Sequence, residues 1–125
     1  HFGSTRQETL QAMTELAIFY ENQQRYQQAE PLYEEILKQK KLSLGVNHRE
    51  SLLAMYDLAE IYKARKQWAK AEPLLTHCLQ QQKTLLGANH AETVSTSKLL
   101  YVVKEGLRQQ EQAQQQVLGQ EQRQG

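Results

Sequence analysis

Apolar residues recur along this chain at steps of three and four, interrupted at intervals by short polar runs. Leu10, Met13, Leu16, Ala17 and Tyr20 form one series, and Tyr26, Ala29, Leu32, Tyr33, Ile36 and Leu37 a second, with the polar run Asn-Gln-Gln-Arg at 22–25 between them. The pair returns as Leu52, Met55, Leu58, Ala59 and Tyr62, then Trp68, Ala71, Leu74, Leu75, Cys78 and Leu79. Such spacing keeps apolar side chains on one face of a 3.6-residue helix, and no window shows the alternating, β-branched pattern of a strand. Two pairs of helices are therefore predicted. In the second pair the break at 64–67 holds no Gly or Pro, so it is placed by register with the first pair and by the shift of the apolar face at Trp68.

Glycines punctuate this pattern with a period of 42: Gly3, Gly45 and Gly87 each follow an apolar residue, Phe2, Leu44 and Leu86. Beyond them stand Thr5, Asn47 and Asn89, and three residues later Glu8, Glu50 and Glu92. That order predicts a helix stop at a left-handed Gly, then a capping box with Thr5, Asn47 or Asn89 as the cap and Glu reaching back to it. Pro31 and Pro73 fall early in the second helix of each pair, where few N–H bonds are lost. A third unit begins in the same way and then decays. Its first helix keeps Val94, Leu100, Tyr101 and Val103, with Lys104 where Tyr20 and Tyr62 stood; its second keeps Ala113 and Val117 in register and little else. Nine of the last 17 residues are Gln. This end reads as a polar capping helix or frayed tail closing a stack, or as a Gln-rich segment prone to association.

These residues resemble the tetratricopeptide repeat. L-A-x-x-Y at Leu16, Ala17, Tyr20 and at Leu58, Ala59, Tyr62 is followed by A-x-x-x-[YL] at Ala29, Tyr33 and at Ala71, Leu75, with Leu100 and Ala113 as remnants in the third unit. The period of 42, L-G-x-x-H at Leu44–His48 and Leu86–His90, and A-E-P-L at Ala29–Leu32 and Ala71–Leu74 are similar to the kinesin-light-chain-like branch. The fold implied is all-α: an α-solenoid of antiparallel helix hairpins, a superhelix of two full repeats with a degenerate third as cap. One domain over 1–125 is expected, with repeats at about 3–44 and 45–86, a capping repeat at about 87–118 and a polar tail at about 119–125. HEAT and armadillo repeats have similar periods but do not account for both signatures.

Composition narrows the function. The chain has 125 residues and a formal charge of +1, with 15 Lys+Arg against 14 Asp+Glu, so it lacks the clustered basic excess of a nucleic-acid binder. No stretch approaches the ~20 apolar residues of a membrane span. One cysteine excludes an internal disulfide and a cysteine-based metal site, and a reducing, cytoplasmic setting is the default. A start at His1 is expected of a processed chain or of a piece of something longer, such as a sensor with a nucleotide-binding module upstream. His48 and His90 repeat at equivalent loops and are read as locking them. His77 and Cys78 are adjacent on a helix, so their side chains diverge and cannot share a zinc ion; Cys78 aligns with Ile36 and is read as a buried small hydrophobe. No hydrolase, metalloprotease or phosphate-loop motif is present. Neither a cofactor nor a metal is expected, and no catalytic residue can be named.

The resemblance implies a concave face, lined by the first helices, that holds a peptide of a partner protein. By alignment its residues are Thr14 and Ile18, Tyr56 and Glu60, and Lys98 and Val102, with Glu21 and Lys63 at the rim. Chaperone-binding members carry Lys and Asn at these positions, and kinesin light chains an Asn ladder. Neither set is present, so the likeness is architectural. Tyr56 beside Lys98 is read either as an aromatic and cationic platform for an apolar or acidic ligand side chain or as packing on a neighbouring helix. Lys63, Arg65, Lys66 and Lys70 form either a solvated turn or a lip for an acidic peptide. Self-association through exposed repeat ends is the other expectation, motivated by Phe2, Leu10 and Met13 on an uncapped N-terminal face.

Overall fold

The computed structural model describes the backbone of residues 2–124 and the side chains of 7–123. Among the described residues there are five helices: α1 (Phe2–Asn22), α2 (Tyr26–Leu44), α3 (Arg49–Ala64), α4 (Trp68–Leu86) and α5 (Ala91–Gln124), and no strand. Each helix packs on the next in the chain, and α3 also touches α5. The result is two antiparallel hairpins, α1/α2 and α3/α4, with α5 laid against the second.

The two hairpins turn in the same way. Gln24 and Lys66 both sit at φ 60°. Arg25 N–H donates to Tyr20 O and Gln67 N–H to Tyr62 O, both at 2.8 Å, while Gln24 and Lys66 donate to Glu21 O and Lys63 O. These are the paired bonds of a Schellman stop, made here by long polar residues instead of Gly. The tyrosine that ends L-A-x-x-Y supplies the accepting carbonyl. Its ring is covered by a cation, Arg25 at 5.1 Å from Tyr20 and Lys70 at 5.7 Å from Tyr62.

Between hairpins Gly45 and Gly87 do hold positive φ, 97° and 93°, but with ψ of 155°. This is the extended positive-φ region that only Gly occupies comfortably, not the left-handed helical one. Caps differ too. His48 caps α3, its Nδ1 accepting from Glu50 N–H at 3.1 Å, and His90 Nδ1 accepts from Glu92 N–H at 3.1 Å. The predicted caps Asn47 and Asn89 lie one residue earlier, and Asn47 instead hydrogen-bonds His77 Nε2 at 2.9 Å. Released from the capping box, Glu50 pairs with Lys40 at 3.0 Å and Glu92 with Arg49 at 2.7 Å, tying neighbouring helices. At the N-terminus the predicted stop at Gly3 and helix start at Thr5 do not occur there, because the α1 backbone already runs through both. Pro31 and Pro73 lie inside their helices, beyond the first turn, so each removes one helical bond.

Ala17, Ala29, Ala59 and Ala71 are fully buried, as are Leu75 and Cys78; small side chains at these positions let the paired helices approach. Burial pushes the Cys78 thiol up to about 11, and its Sγ donates to Leu52 O. The third unit departs from expectation. No second helix folds back: α5 continues unbroken past 106–109, and Ala113 and Val117 are exposed on it. Gly106 lies against the face of Trp68, where a Cβ would come within 2.4 Å of the ring. Leu16, though part of the repeat signature, is 42% exposed, whereas Leu58 and Leu100 are buried.

Candidate peptide-binding face

Where α1, α2 and α3 meet, a concavity of about 240 Å³ is lined by Thr14, Tyr33, Ile36, Lys40, Glu50, Leu53, Ala54 and Asp57. A larger one, of about 980 Å³, adjoins it through Lys40 and Glu50 and runs between α1 and α2. Three candidates contribute to this region. Thr14 lines the smaller concavity and donates its hydroxyl to Leu10 O at 2.8 Å. Glu21 Oε1 accepts from Tyr33 Oη at 2.6 Å. Burial, then Glu21, raises the Tyr33 phenol well above its ordinary value. Glu60 stands one turn from Asp57 and 3.9 Å from Lys63.

Asp57 is the group that sequence reasoning missed. Its carboxyl meets solvent yet is walled by the surrounding protein. That desolvation, followed by the negative charges of Glu21 and Glu60, pushes it up to about 6 against the opposing pull of Lys40. Among the described residues neither Asp57 nor Glu21 has an ion-pair partner. No sequence motif singles out Asp57; Glu21 and Lys40 reach it from the preceding repeat, and Glu60 stands one turn along its own helix.

The remaining candidates are dispersed. Tyr56 is half-buried, and burial, then Glu60 on its own helix, pushes its phenol up to about 12. Lys98 and Val102 stand exposed on α5, and Ile18 is exposed on α1. The basic run has internal partners: Arg65 pairs with Glu30 at 2.7 Å, Lys63 lies near Glu60 and Lys70 covers Tyr62. The charge facing the concavity is thus more acidic than the alignment suggested. Among the described residues no group of three metal-binding side chains occurs, and no helix is long and apolar enough to cross a membrane.

Consecutive antiparallel hairpins, stacked in register, define a helical repeat protein. The family model for the tetratricopeptide repeat matches residues 8–83. The chain belongs to that family, whose repeats generally mediate protein–protein interactions and are typically non-catalytic. A comparison with curated proteins gave no match.

Proposed function

We propose that this chain is a non-catalytic adaptor whose first-helix face binds a segment of a partner protein, and that the segment places a basic side chain over Asp57. The observation that carries the reading is the open concavity at the α1–α2–α3 junction with Asp57 in its wall and Glu21 and Glu60 beside it. A Lys or Arg entering there meets three carboxylates in partly desolvated surroundings, where charge-assisted hydrogen bonds are strong. Thr14 borders this site and Lys63 lies near Glu60, while Ile18, Tyr56, Lys98 and Val102 extend the surface to either side. The period of 42 and the 19-residue second helices support placement in the kinesin-light-chain-like branch. The lone buried thiol suits a reducing, cytoplasmic setting.

Capture from a cell lysate, comparing the parent with Asp57→Asn/Glu60→Gln and with Tyr56→Ala/Lys98→Glu, tests this. Partners are expected to be lost with the first variant, and parental capture to weaken as pH falls through about 6 and Asp57 is protonated. Equal capture by parent and Asp57→Asn/Glu60→Gln at pH 7.5 overturns it. Loss only with Tyr56→Ala/Lys98→Glu moves the site toward α5. Asp57 is raised above its ordinary 3.8, so its charge opposes folding above about pH 6 and that penalty is relieved on acidification. Asp57→Asn therefore stabilises the chain at pH 7, by less than ~1 kcal/mol after solvent screening, and not at pH 3.5.

A further inference from the structure

Leu10 and Met13, expected on an uncapped N-terminal face, pack against the core instead, and Phe2 has its side chain outside the described residues. A more distinctive apolar surface lies on the second helices. α2 and α4 each pack on α3 rather than closely on one another, and a furrow of about 570 Å³ follows the seam between them. Leu37, Leu58 and Tyr62 are buried beneath it, while Leu42, 68% exposed, and half-buried Leu74 rise at its sides. Leu58 and Tyr62 reach this furrow from one face of α3; Leu53 and Asp57 line the acidic concavity from another.

The rim of the furrow is cationic. Glu34, Leu37, Lys38 and Lys41 stand at i, i+3, i+4 and i+7 and so share one face of α2, with Lys70 across the seam on α4. Among the described residues Lys38 and Lys41 have no ion-pair partner, and Lys70 lies over the Tyr62 ring. Glu34, the one carboxylate in the lining, already accepts from Tyr62 Oη at 2.6 Å. The repeat does not impose this chemistry. Stepping by 42, the equivalents of Lys38, Leu42 and Lys70 are Gln80, Thr84 and Gln28; Lys41 alone recurs, as Lys83.

The structure assigns to this furrow a second docking site, on the second-helix face, for a short acidic amphipathic segment of a partner protein. Its apolar side chains lie over Leu37, Leu42 and Leu74, and its carboxylates reach Lys38 and Lys41 on one side and Lys70 on the other. Charge selects the occupant: lysines around an apolar floor complement acidic groups that alternate with apolar ones. A nucleic acid would bring phosphates but no aliphatic side chains for that floor, and calls for a longer basic track. From Glu34 to Leu42 the furrow runs ~12 Å at ~1.5 Å per residue, room for about two helical turns. A contact so short buries less than the ~1,200 Å² of stable interfaces, so it is weak and transient. The molecule thereby presents two faces of opposite charge, an acidic concavity for a basic side chain and a basic furrow for acidic ones.

Amide NMR on the isotope-labelled full chain tests this, titrated with a capped peptide of Glu and Leu about eight residues long, two turns of helix, and with its counterpart carrying Lys for Glu. The Glu/Leu peptide should shift the amides of Lys38, Lys41, Leu42, Lys70 and Leu74, and the Lys/Leu peptide should leave them in place. Lys38→Gln/Lys41→Gln should weaken the acidic peptide ~10-fold through loss of two rim ion pairs, and added salt should weaken it for the parent. Leu42→Gln, which changes no charge, should weaken it severalfold. These side chains are exposed, so circular dichroism should match the parent; should the double variant lose helicity, Leu42→Gln decides. Lys83→Gln, outside the furrow, should bind like the parent. The proposal is overturned if the acidic peptide leaves the furrow amides unmoved, if both peptides shift them alike, if Lys38→Gln/Lys41→Gln or Leu42→Gln binds as the parent does, or if Lys83→Gln weakens binding as much as the double variant. Asp57→Asn/Glu60→Gln leaves the furrow intact and should bind the acidic peptide, so this inference and the peptide-binding reading fail separately.

Discussion

The second hairpin and the stretch of α5 that stands where a third would be share a repeat register and take different shapes. At 64–67 the chain reverses, although the turn forces Lys66 into the left-handed region, a conformation that costs an L-residue ~1–2 kcal/mol. At 106–109 it does not reverse, and Arg108, the equivalent of Lys66, pairs with Glu105 along a continuous helix. The turn residues do not explain the contrast, since neither segment holds a strong breaker at the left-handed position. The side chains beyond the turn do. Past Lys66 come Leu74, Leu75, Cys78 and Leu79, and burial of one such Leu contributes ~1.5–3 kcal/mol. Past Arg108 the same positions hold Gln116, Val117, Gln120 and Glu121, and folding them back buries polar groups at ~1–3 kcal/mol each. Reversal is favoured only where an apolar face waits beyond it.

That contrast can be pressed hardest at equivalent core positions. Leu75→Ala is expected to cost ~2–5 kcal/mol and Val117→Ala less than ~0.5 kcal/mol, measured by urea denaturation. Equal losses would mean that the distal half of α5 folds back in solution. Next comes the helix crossing that holds α5 in place. Gly→Ala inside a helix normally gains stability, but at Gly106 the added methyl meets the Trp68 ring, so Gly106→Ala should lower it by ~1–3 kcal/mol. A higher melting temperature for that variant would break the packing assigned to this end. The smallest effect is at the turns themselves. Lys66→Gly should stabilise by ~0.5–1 kcal/mol by relieving positive φ, whereas Arg108→Gly, inside a helix, should destabilise by ~1 kcal/mol. Thermal unfolding of the pair distinguishes a turn from a through-running helix by the sign alone.

The candidate site was legible in the sequence only in part. Thr14, Glu21 and Glu60 were found by repeat register, and all three lie at or beside the α1–α2–α3 junction. Asp57 was not found, because its significance comes from Glu21, 36 residues earlier, and from Lys40. Tyr33 was identified as a core residue; that its hydroxyl reaches Glu21 depends on how one helix sits across another. Similarly, the run Lys63, Arg65, Lys66 and Lys70 read as either a solvated turn or a lip; packing gave Arg65 its partner Glu30 and set Lys70 over the Tyr62 ring, whereas Lys63 lies near Glu60 on its own helix.

By itself the sequence determined the all-helical class, the period of 42, the four helices of two hairpins and the burial of Ala17, Ala29, Ala59 and Ala71. Helix periodicity is local and repeats, so each unit reports the same face again. Only the tertiary structure decided that α5 runs on, that His48 and His90 rather than Asn47 and Asn89 act as caps, that Leu16 on α1 is exposed, and that the concavity is acidic. Those outcomes turn on partners far apart in the chain, such as Gly106 with Trp68 and Asp57 with Glu21, whose proximity no local pattern encodes.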